Sequence, residues 1–156
     1  MLELRFRLSS PTSQASSADL SGANEGVLRY DVLLGDITLR AEGCDLSTNW
    51  GWIPLIDFAA CLLQAKTELS RNESTKSLID FTESNSRIGF QRFGSIVRIW
   101  ASYRSCQADV PMQEFMTATD SFFQELQEFV RNTYPALLQN VEFHRILPLF
   151  RKPHKI

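Results

Sequence analysis

Several sequence patterns that mark large protein classes are missing from this chain. Its 156 residues contain no run of about 18 apolar residues, so we expect no transmembrane helix and no membrane partner. The two histidines, His144 and His154, belong to no H-E-x-x-H motif, and neither a glycine-rich phosphate loop nor a G-x-S-x-G elbow occurs. The sequence therefore predicts no catalytic residue, no metal site and no cofactor. We expect a protein that is not an enzyme, although catalytic residues that are distant in sequence stay open as an alternative.

Cysteine is scarce as well, and its pattern bears on the cellular compartment. The three cysteines, Cys44, Cys61 and Cys106, are far apart and form no C-x-x-C motif. The N-terminal sequence MLELRFRLSS alternates apolar and charged residues, which is unlike the apolar core of a signal peptide. Because the cysteine count is odd and no secretion signal is visible, we expect free buried thiols in a cytoplasmic protein.

The overall composition is typical of one ordinary globular domain, with 44% hydrophobic and 22% charged residues. We therefore treat 1–156 as a single domain. Its net charge of −2 conceals strong segregation of charge along the chain. Residues 87–104 carry four basic and no acidic side chains, whereas residues 105–142 carry one basic and six acidic side chains. Segregation of this kind concerns binding partners rather than the fold.

Hydrophobic periodicity predicts an α+β fold. The expected element order is β-β-β-α-β-β-β-α, with the strands in a largely antiparallel, two-layer sheet of about six strands and two main helices on one face. We expect a mobile polar loop at 9–26, a frayed basic tail at 150–156, and one further short strand at 141–146. The predicted strands are 2–8, 27–34, 37–43, 79–82, 87–93 and 96–104, and the predicted helices are 53–69 and 111–133.

Two glycine-containing turns predict two hairpins. A turn at 35–36 would pair Asp31 with Arg40 and Arg29 with Glu42, and opposite charges across a ladder favour that register. A second turn, at 94–95, would join the strands 87–93 and 96–104. That register places Gly89 opposite Trp100, whose ring would cover the bare glycine backbone.

The first candidate binding surface is the aromatic loop that follows Gly43. Trp50 and Trp52 flank Gly51 in this loop. Large aromatic side chains serve either as plugs of a hydrophobic core or as exposed anchors for another protein, and both interpretations stay open. If the indoles are anchors, the same surface includes three polar neighbours: Glu42, Asp45 and Asn49.

The second candidate surface is the outward face of hairpin 87–104, which presents Arg98 and Trp100. Basic groups interleaved with aromatic rings are typical of surfaces that bind single-stranded nucleic acid. The sequence pI of about 5.7 argues against that partner, and carboxylates such as Asp80 would neutralise the arginines. We therefore assign Arg98 and Trp100, together with Asp80 and Glu83, to a protein-binding surface and regard nucleic acid as an unlikely partner.

The segments GDITLRAEG, IPLIDFAACLL and IDFTES make the chain resemble small bacterial immunity proteins, over about residues 27–134. Those proteins neutralise the toxin domains of contact-dependent growth inhibition and related polymorphic toxin systems. The resemblance implies a cytoplasmic, non-catalytic protein that binds the C-terminal domain of one cognate toxin and occludes its active site or substrate groove. The family has no shared motif, so the resemblance assigns no site residue.

A nuclease is the toxin activity that we expect, because an acidic inhibitor suits a basic nucleic-acid groove. Two alternatives to the immunity function stay open from the sequence. One is an α+β domain that binds a small molecule or a peptide between sheet and helices, and the other is a module that binds single-stranded nucleic acid.

Overall fold

The computed structural model describes residues 1–9, 20–82 and 84–150, which form two antiparallel sheets and four α-helices. The α+β class predicted from the sequence is confirmed, whereas the single sheet of about six strands is replaced by two sheets of four strands each. The strands are β1 (Glu3–Leu8), β2 (Leu34–Ala41), β3 (Cys44–Asp45), β4 (Ile53–Pro54), β5 (Lys76–Asp80), β6 (Arg87–Phe93), β7 (Ile96–Ala101) and β8 (Gln107–Pro111). The α-helices are α1 (Glu25–Tyr30), α2 (Leu55–Arg71), α3 (Met112–Thr133) and α4 (Val141–Ile146), and short 3-10 helices lie at Pro135–Gln139 and Pro148–Phe150.

The first sheet is organised around β2, which pairs antiparallel with β1, β3 and β4. The predicted hairpin with a turn at 35–36 is wrong, because β2 runs straight through these residues. Gly35 lies where β1 passes very close to β2. A Cβ atom at this position would be only 2.0 Å from the carbonyl oxygen of Arg7. The glycine therefore permits close strand pairing rather than a turn.

The segment predicted as the first strand of that hairpin forms helix α1 instead. Asn24 is its N-cap residue, and the Asn24 side chain accepts a hydrogen bond from the Val27 N–H at 3.0 Å. Such a cap satisfies one of the backbone donors that every helix start leaves unpaired. After α1, the chain reverses through Leu33, which has a positive φ of 52°. This local capping signal favours a helix where the apolar pattern had indicated a strand.

The ion pairs change together with the strand register. Arg29 donates to Asp57 of α2 at 2.7 Å, so it connects α1 to α2 instead of lying in a ladder. Arg40 pairs with Asp45 of β3 at 3.3 Å. These contacts replace both pairs that the sequence analysis predicted, which were Asp31 with Arg40 and Arg29 with Glu42.

The second sheet has the order β5-β6-β7-β8 and contains the hairpin predicted around 94–95. Its register is confirmed, with Gly89 opposite Trp100 and Phe93 opposite Ile96. The indole covers the glycine so closely that a Cβ atom on Gly89 would lie 2.1 Å from the ring. Strand β8 was not predicted, and it gives Arg98 a cross-strand partner in Asp109.

The two long helices join both sheets to a common hydrophobic core. Helix α2 packs against β5, and helix α3 packs against β1. The apolar stripe predicted for 111–133 is confirmed, with Phe115, Phe122 and Leu126 buried. Phe58 of α2 and Phe122 of α3 meet with ring centroids 5.7 Å apart. Burial of each phenylalanine contributes roughly 1.5–3 kcal/mol to the free energy of folding, so these rings are a main source of the stability of the core.

The C-terminal region is helical where the sequence analysis predicted a strand at 141–146. Asn140 starts α4, because its side-chain oxygen accepts hydrogen bonds from the N–H groups of Glu142 and Phe143. The Asn140 amide nitrogen donates to the carbonyl oxygens of Leu20 and Ala23. A single buried side chain therefore both caps this helix and attaches it to the segment before α1.

The predicted loop 9–26 and the predicted tail 150–156 fall partly outside the described residues. Within the described part, Leu20 is buried and helix α1 begins at Glu25. Phe150 is also buried, so the packed part of the chain extends further in both places than the sequence suggested.

Cys44 and Cys106 form a disulfide, which contradicts the prediction of free thiols for these two residues. They are separated by 62 positions in sequence, and their Cα atoms lie 5.8 Å apart because the two sheets pack side by side. The bond links β3 of the first sheet to the segment between β7 and β8 of the second. Cys61 is free, as predicted, and burial raises the pKa of its thiol to about 11.

Candidate functional site: an aromatic loop between the sheets

The predicted aromatic loop, residues 45–52, is organised around the buried carboxylate of Asp36. One carboxylate oxygen of Asp36 accepts hydrogen bonds from the Thr48 hydroxyl at 2.8 Å, the Trp50 N–H at 2.8 Å and the Gly51 N–H at 3.0 Å. The Thr48 hydroxyl oxygen in turn accepts from the Ile37 N–H at 3.0 Å. Hydrogen bonds to a charged acceptor are among the stronger ones in proteins. The loop backbone therefore has one defined conformation next to both tryptophans.

The second sheet holds the same loop from the other side. The Tyr103 hydroxyl donates to the Leu46 carbonyl oxygen at 2.6 Å, and the Arg104 guanidinium donates to the Ser47 carbonyl oxygen at 3.4 Å. Burial raises the pKa of Tyr103, so its hydroxyl keeps the proton that it donates. The disulfide at Cys44 lies directly before this loop. The loop is thus braced by both sheets.

Trp50 and Trp52 are both half-buried and stack on each other, with ring centroids 5.3 Å apart and planes inclined by 17°. Trp50 also meets Tyr103 edge to face at 4.9 Å and Phe81 at 5.7 Å. Both indoles rest on the core, and both keep accessible surface. Neither indole N–H has a hydrogen-bond partner among the described residues.

The polar residues predicted to surround the indoles occupy the turn and the loop before them. Glu42 lies at the exposed turn between β2 and β3 and accepts a hydrogen bond from the Met1 amino group at 3.3 Å. Asp45 accepts from the Ser47 N–H at 3.0 Å and pairs with Arg40. The hydrogen bonds from Ser47, and then the bond from Arg40, lower the pKa of the exposed Asp45 carboxyl. Asn49 is exposed.

The second predicted surface, the outward face of the second sheet, carries compensated charge. Arg98 forms two hydrogen bonds to Asp109, at 2.9 and 3.2 Å, and lowers the pKa of that carboxyl. Arg87 pairs with Asp80 at 3.0 Å. The expectation that Asp80 neutralises a neighbouring arginine is therefore confirmed, and Asp109 does the same for a second one.

On this face, a basic side chain lies over each of two aromatic rings, those of Trp100 and Phe93. The Lys76 ammonium lies 5.4 Å from the centroid of the Trp100 ring, and the Arg98 guanidinium lies 5.0 Å from that of Phe93. Contacts of this kind orient the charged side chains over the aromatic surface. The last predicted site residue, Glu83, lies outside the described residues.

Phe81 is a buried core residue that supports the aromatic loop from the second sheet. It follows β5 and contacts Trp50, and it comes directly after Asp80 of the sheet face. Phe81 and Tyr103 are not among the site residues predicted from the sequence. Their alternating pattern indicated strand residues of the core, and nothing local shows that they support a loop from the other sheet.

The rest of the described chain offers little other site chemistry. No three His, Cys, Asp or Glu side chains within residues 1–9, 20–82 and 84–150 cluster closely enough to hold a metal ion. His144 contacts the Leu138 carbonyl oxygen at 2.7 Å through its Nε2 atom. None of the helices in the described parts of the chain combines the length and the apolarity needed to cross a membrane.

No protein-family model, no curated protein and no solved structure matches this chain.

Proposed function

We propose that this protein is an immunity-type inhibitor that binds the C-terminal domain of a cognate bacterial toxin and blocks its active site or substrate groove. The observation that carries the proposal is the stacked pair of Trp50 and Trp52 on a braced loop. Tryptophan is enriched among the residues that dominate protein–protein binding energy. Two accessible indoles, whose N–H groups have no partner within the described residues, offer both apolar area and hydrogen bonds to a partner.

The bracing of the loop favours tight binding. Association costs free energy whenever flexible side chains and loops must be ordered, and a preformed surface avoids much of that cost. Here Asp36 fixes the loop backbone from the first sheet, while Tyr103 fixes it from the second. The indoles are therefore presented to a partner in a defined arrangement.

The charged residues around the indoles have a different role in this proposal. Glu42 and Asp45 are exposed carboxylates that attract a basic partner and accelerate its association. Asp80, Arg98 and Trp100, on the outward face of the second sheet, form a second contact area for the toxin in this proposal. A basic substrate groove, such as that of a nuclease toxin, fits the exposed carboxylates beside the two indoles. The inhibitor acts stoichiometrically in the cytoplasm and has no catalysis of its own.

The test is binding of the purified protein to the toxin domain encoded by the reading frame directly upstream of its gene. We expect a stable complex that Trp50→Ala or Asp45→Lys weakens while the circular dichroism spectrum stays native. Tyr30→Ala is the matched control, because Tyr30 is an exposed aromatic residue on α1 that takes no part in the loop. The lack of an adjacent toxin gene, or equal binding by Trp50→Ala and wild type, contradicts the proposal.

A further inference from the structure

A groove of about 760 Å³ runs between strand β1 and helix α3, away from the aromatic loop. Its floor is formed by Leu2, which precedes β1, Leu4 of β1 and Ala118 of α3. Thr117 and Ser121 of α3 line it with short, exposed side chains. Clefts of this size are large enough to hold a ligand or a peptide segment.

The wall of the groove on the β1 side is a free strand edge. Among the described residues, β1 pairs only with β2. The Ser9 N–H donates to the carbonyl oxygen of Leu34 in β2, whereas the Leu2 N–H donates at 2.6 Å to a carboxylate oxygen of Glu114 on α3. Because backbone groups alternate in direction along a strand, those of Leu4 also face the groove rather than β2. A carboxylate thus already occupies the first position at which the carbonyl of an added strand would bind.

The lining of the groove carries a small excess of negative charge, which favours a basic occupant. The lining contains three carboxylates, those of Glu3, Glu114 and Glu125, and two cationic groups, the Arg5 guanidinium and the Met1 ammonium, which lies 3.4 Å from Glu114. Arg5 reaches across the groove to Glu125 at 3.4 Å, and both side chains are well exposed. An exposed pair of this kind is weak and exchanges partners readily. A basic side chain of an incoming segment can therefore take the place of Arg5 at Glu125.

We propose that this groove binds an extended peptide segment that carries lysine or arginine side chains, by adding it as a new strand to the free edge of β1. The backbone of the peptide pairs with Leu4, its apolar side chains rest on Leu2 and Ala118, and its basic side chains meet Glu114 and Glu125. Recognition by strand addition obtains affinity from main-chain hydrogen bonds and specificity from alternate side chains. The proposal does not depend on the toxin-binding role of the aromatic loop.

The test begins with random peptides displayed on phage and selected on the full-length protein. The most enriched sequence is synthesised, and its dissociation constant is measured by fluorescence anisotropy. We expect alternating apolar and basic residues. Ser121→Trp, which fills the groove from an exposed position, should weaken binding at least about tenfold. Gln124→Trp is the matched control, since Gln124 is exposed on the same helix but does not line the groove.

Three further measurements distinguish strand addition from other outcomes. Methylation of peptide backbone nitrogens should abolish binding, because it removes main-chain donors, and Trp50→Ala should leave binding unchanged. Thr117→Trp replaces Ser121→Trp if the latter is not folded by circular dichroism. The proposal is overturned if no peptide is enriched, if the peptide binds wild type and groove variant equally, or if backbone methylation has no effect. Self-association through the groove, seen as a dimer by sedimentation and lost in Ser121→Trp, also overturns it.

Discussion

The carboxylate of Asp36 accepts a hydrogen bond from the backbone N–H of Trp50, with 2.8 Å between the Trp50 nitrogen and Asp36 Oδ1. A buried carboxylate in strand β2 therefore sets the position of an indole in the following loop. Asp36→Ala leaves the Trp50 and Gly51 N–H groups without that acceptor. We expect the free energy of unfolding to fall by about 2–3 kcal/mol, measured by urea denaturation. Asp36→Asn keeps one acceptor oxygen and should lose less. An unchanged stability of Asp36→Ala would show that the carboxylate does not hold the loop.

Gly89 and Trp100 should be energetically coupled. A methyl group at position 89 displaces the indole from its place over the backbone. Gly89→Ala should therefore lower the free energy of unfolding more in the wild-type protein than in the Trp100→Ala variant. We expect a coupling energy of about 1 kcal/mol from a double-mutant cycle of urea denaturation curves. Additive effects of the two substitutions would mean that the ring is not held over the glycine.

The disulfide between Cys44 and Cys106 should contribute to stability more than to the shape of the aromatic loop. A cross-link over 62 positions restricts the unfolded chain, and we expect Cys44→Ser with Cys106→Ser to cost about 2–4 kcal/mol of unfolding free energy. Cys61→Ser is the control. The fluorescence of Trp50 and Trp52 should stay native, because Asp36 and Tyr103 still brace the loop.

This result bears on the proposed compartment, because cytoplasmic thiols are normally kept reduced. An inhibitor that acts in the cytoplasm must keep its binding surface without the disulfide. Loss of the native tryptophan fluorescence in dithiothreitol would contradict that requirement.

Tyr103 should make the free energy of unfolding depend on pH in the alkaline range. Burial raises its pKa above the ordinary value of 10.0, so the folded state holds the phenolic proton more tightly than the unfolded state does. The stabilisation is therefore complete below about pH 10 and is lost as the pH rises above it. We expect wild type to lose more unfolding free energy than Tyr103→Phe between about pH 8 and pH 11. Equal losses would indicate that Tyr103 titrates like an exposed tyrosine.

Local signals predicted the parts of the fold that depend on neighbouring residues. The hairpin at 94–95, the placement of Gly89 under Trp100 and both long helices follow from turn chemistry and periodicity within short windows. Gly35 shows where this reasoning fails. A glycine required by the approach of a distant strand looks, in sequence, the same as a glycine required by a turn.

The site depends even more on long-range contacts. Trp50 and Trp52 could be identified from their residue type and their spacing around Gly51. The residues that support them, Asp36, Phe81 and Tyr103, come from elsewhere in the chain. The pairing of Cys44 with Cys106 likewise requires the two sheets to pack side by side, which no local pattern indicates. Residues that support a loop from another sheet carry no sequence signature of that role.

Titration of toxin activity with this protein tests the proposed function most directly. The activity of a fixed amount of the upstream-encoded toxin domain is measured as the molar ratio of inhibitor to toxin rises. We expect inhibition to be complete at one inhibitor per toxin, and Trp50→Ala to bind at least about 30-fold more weakly while Tyr30→Ala behaves like wild type. Complete inactivation at a small fraction of one equivalent, or full inhibition by Trp50→Ala with unchanged affinity, would contradict stoichiometric occlusion through the aromatic loop.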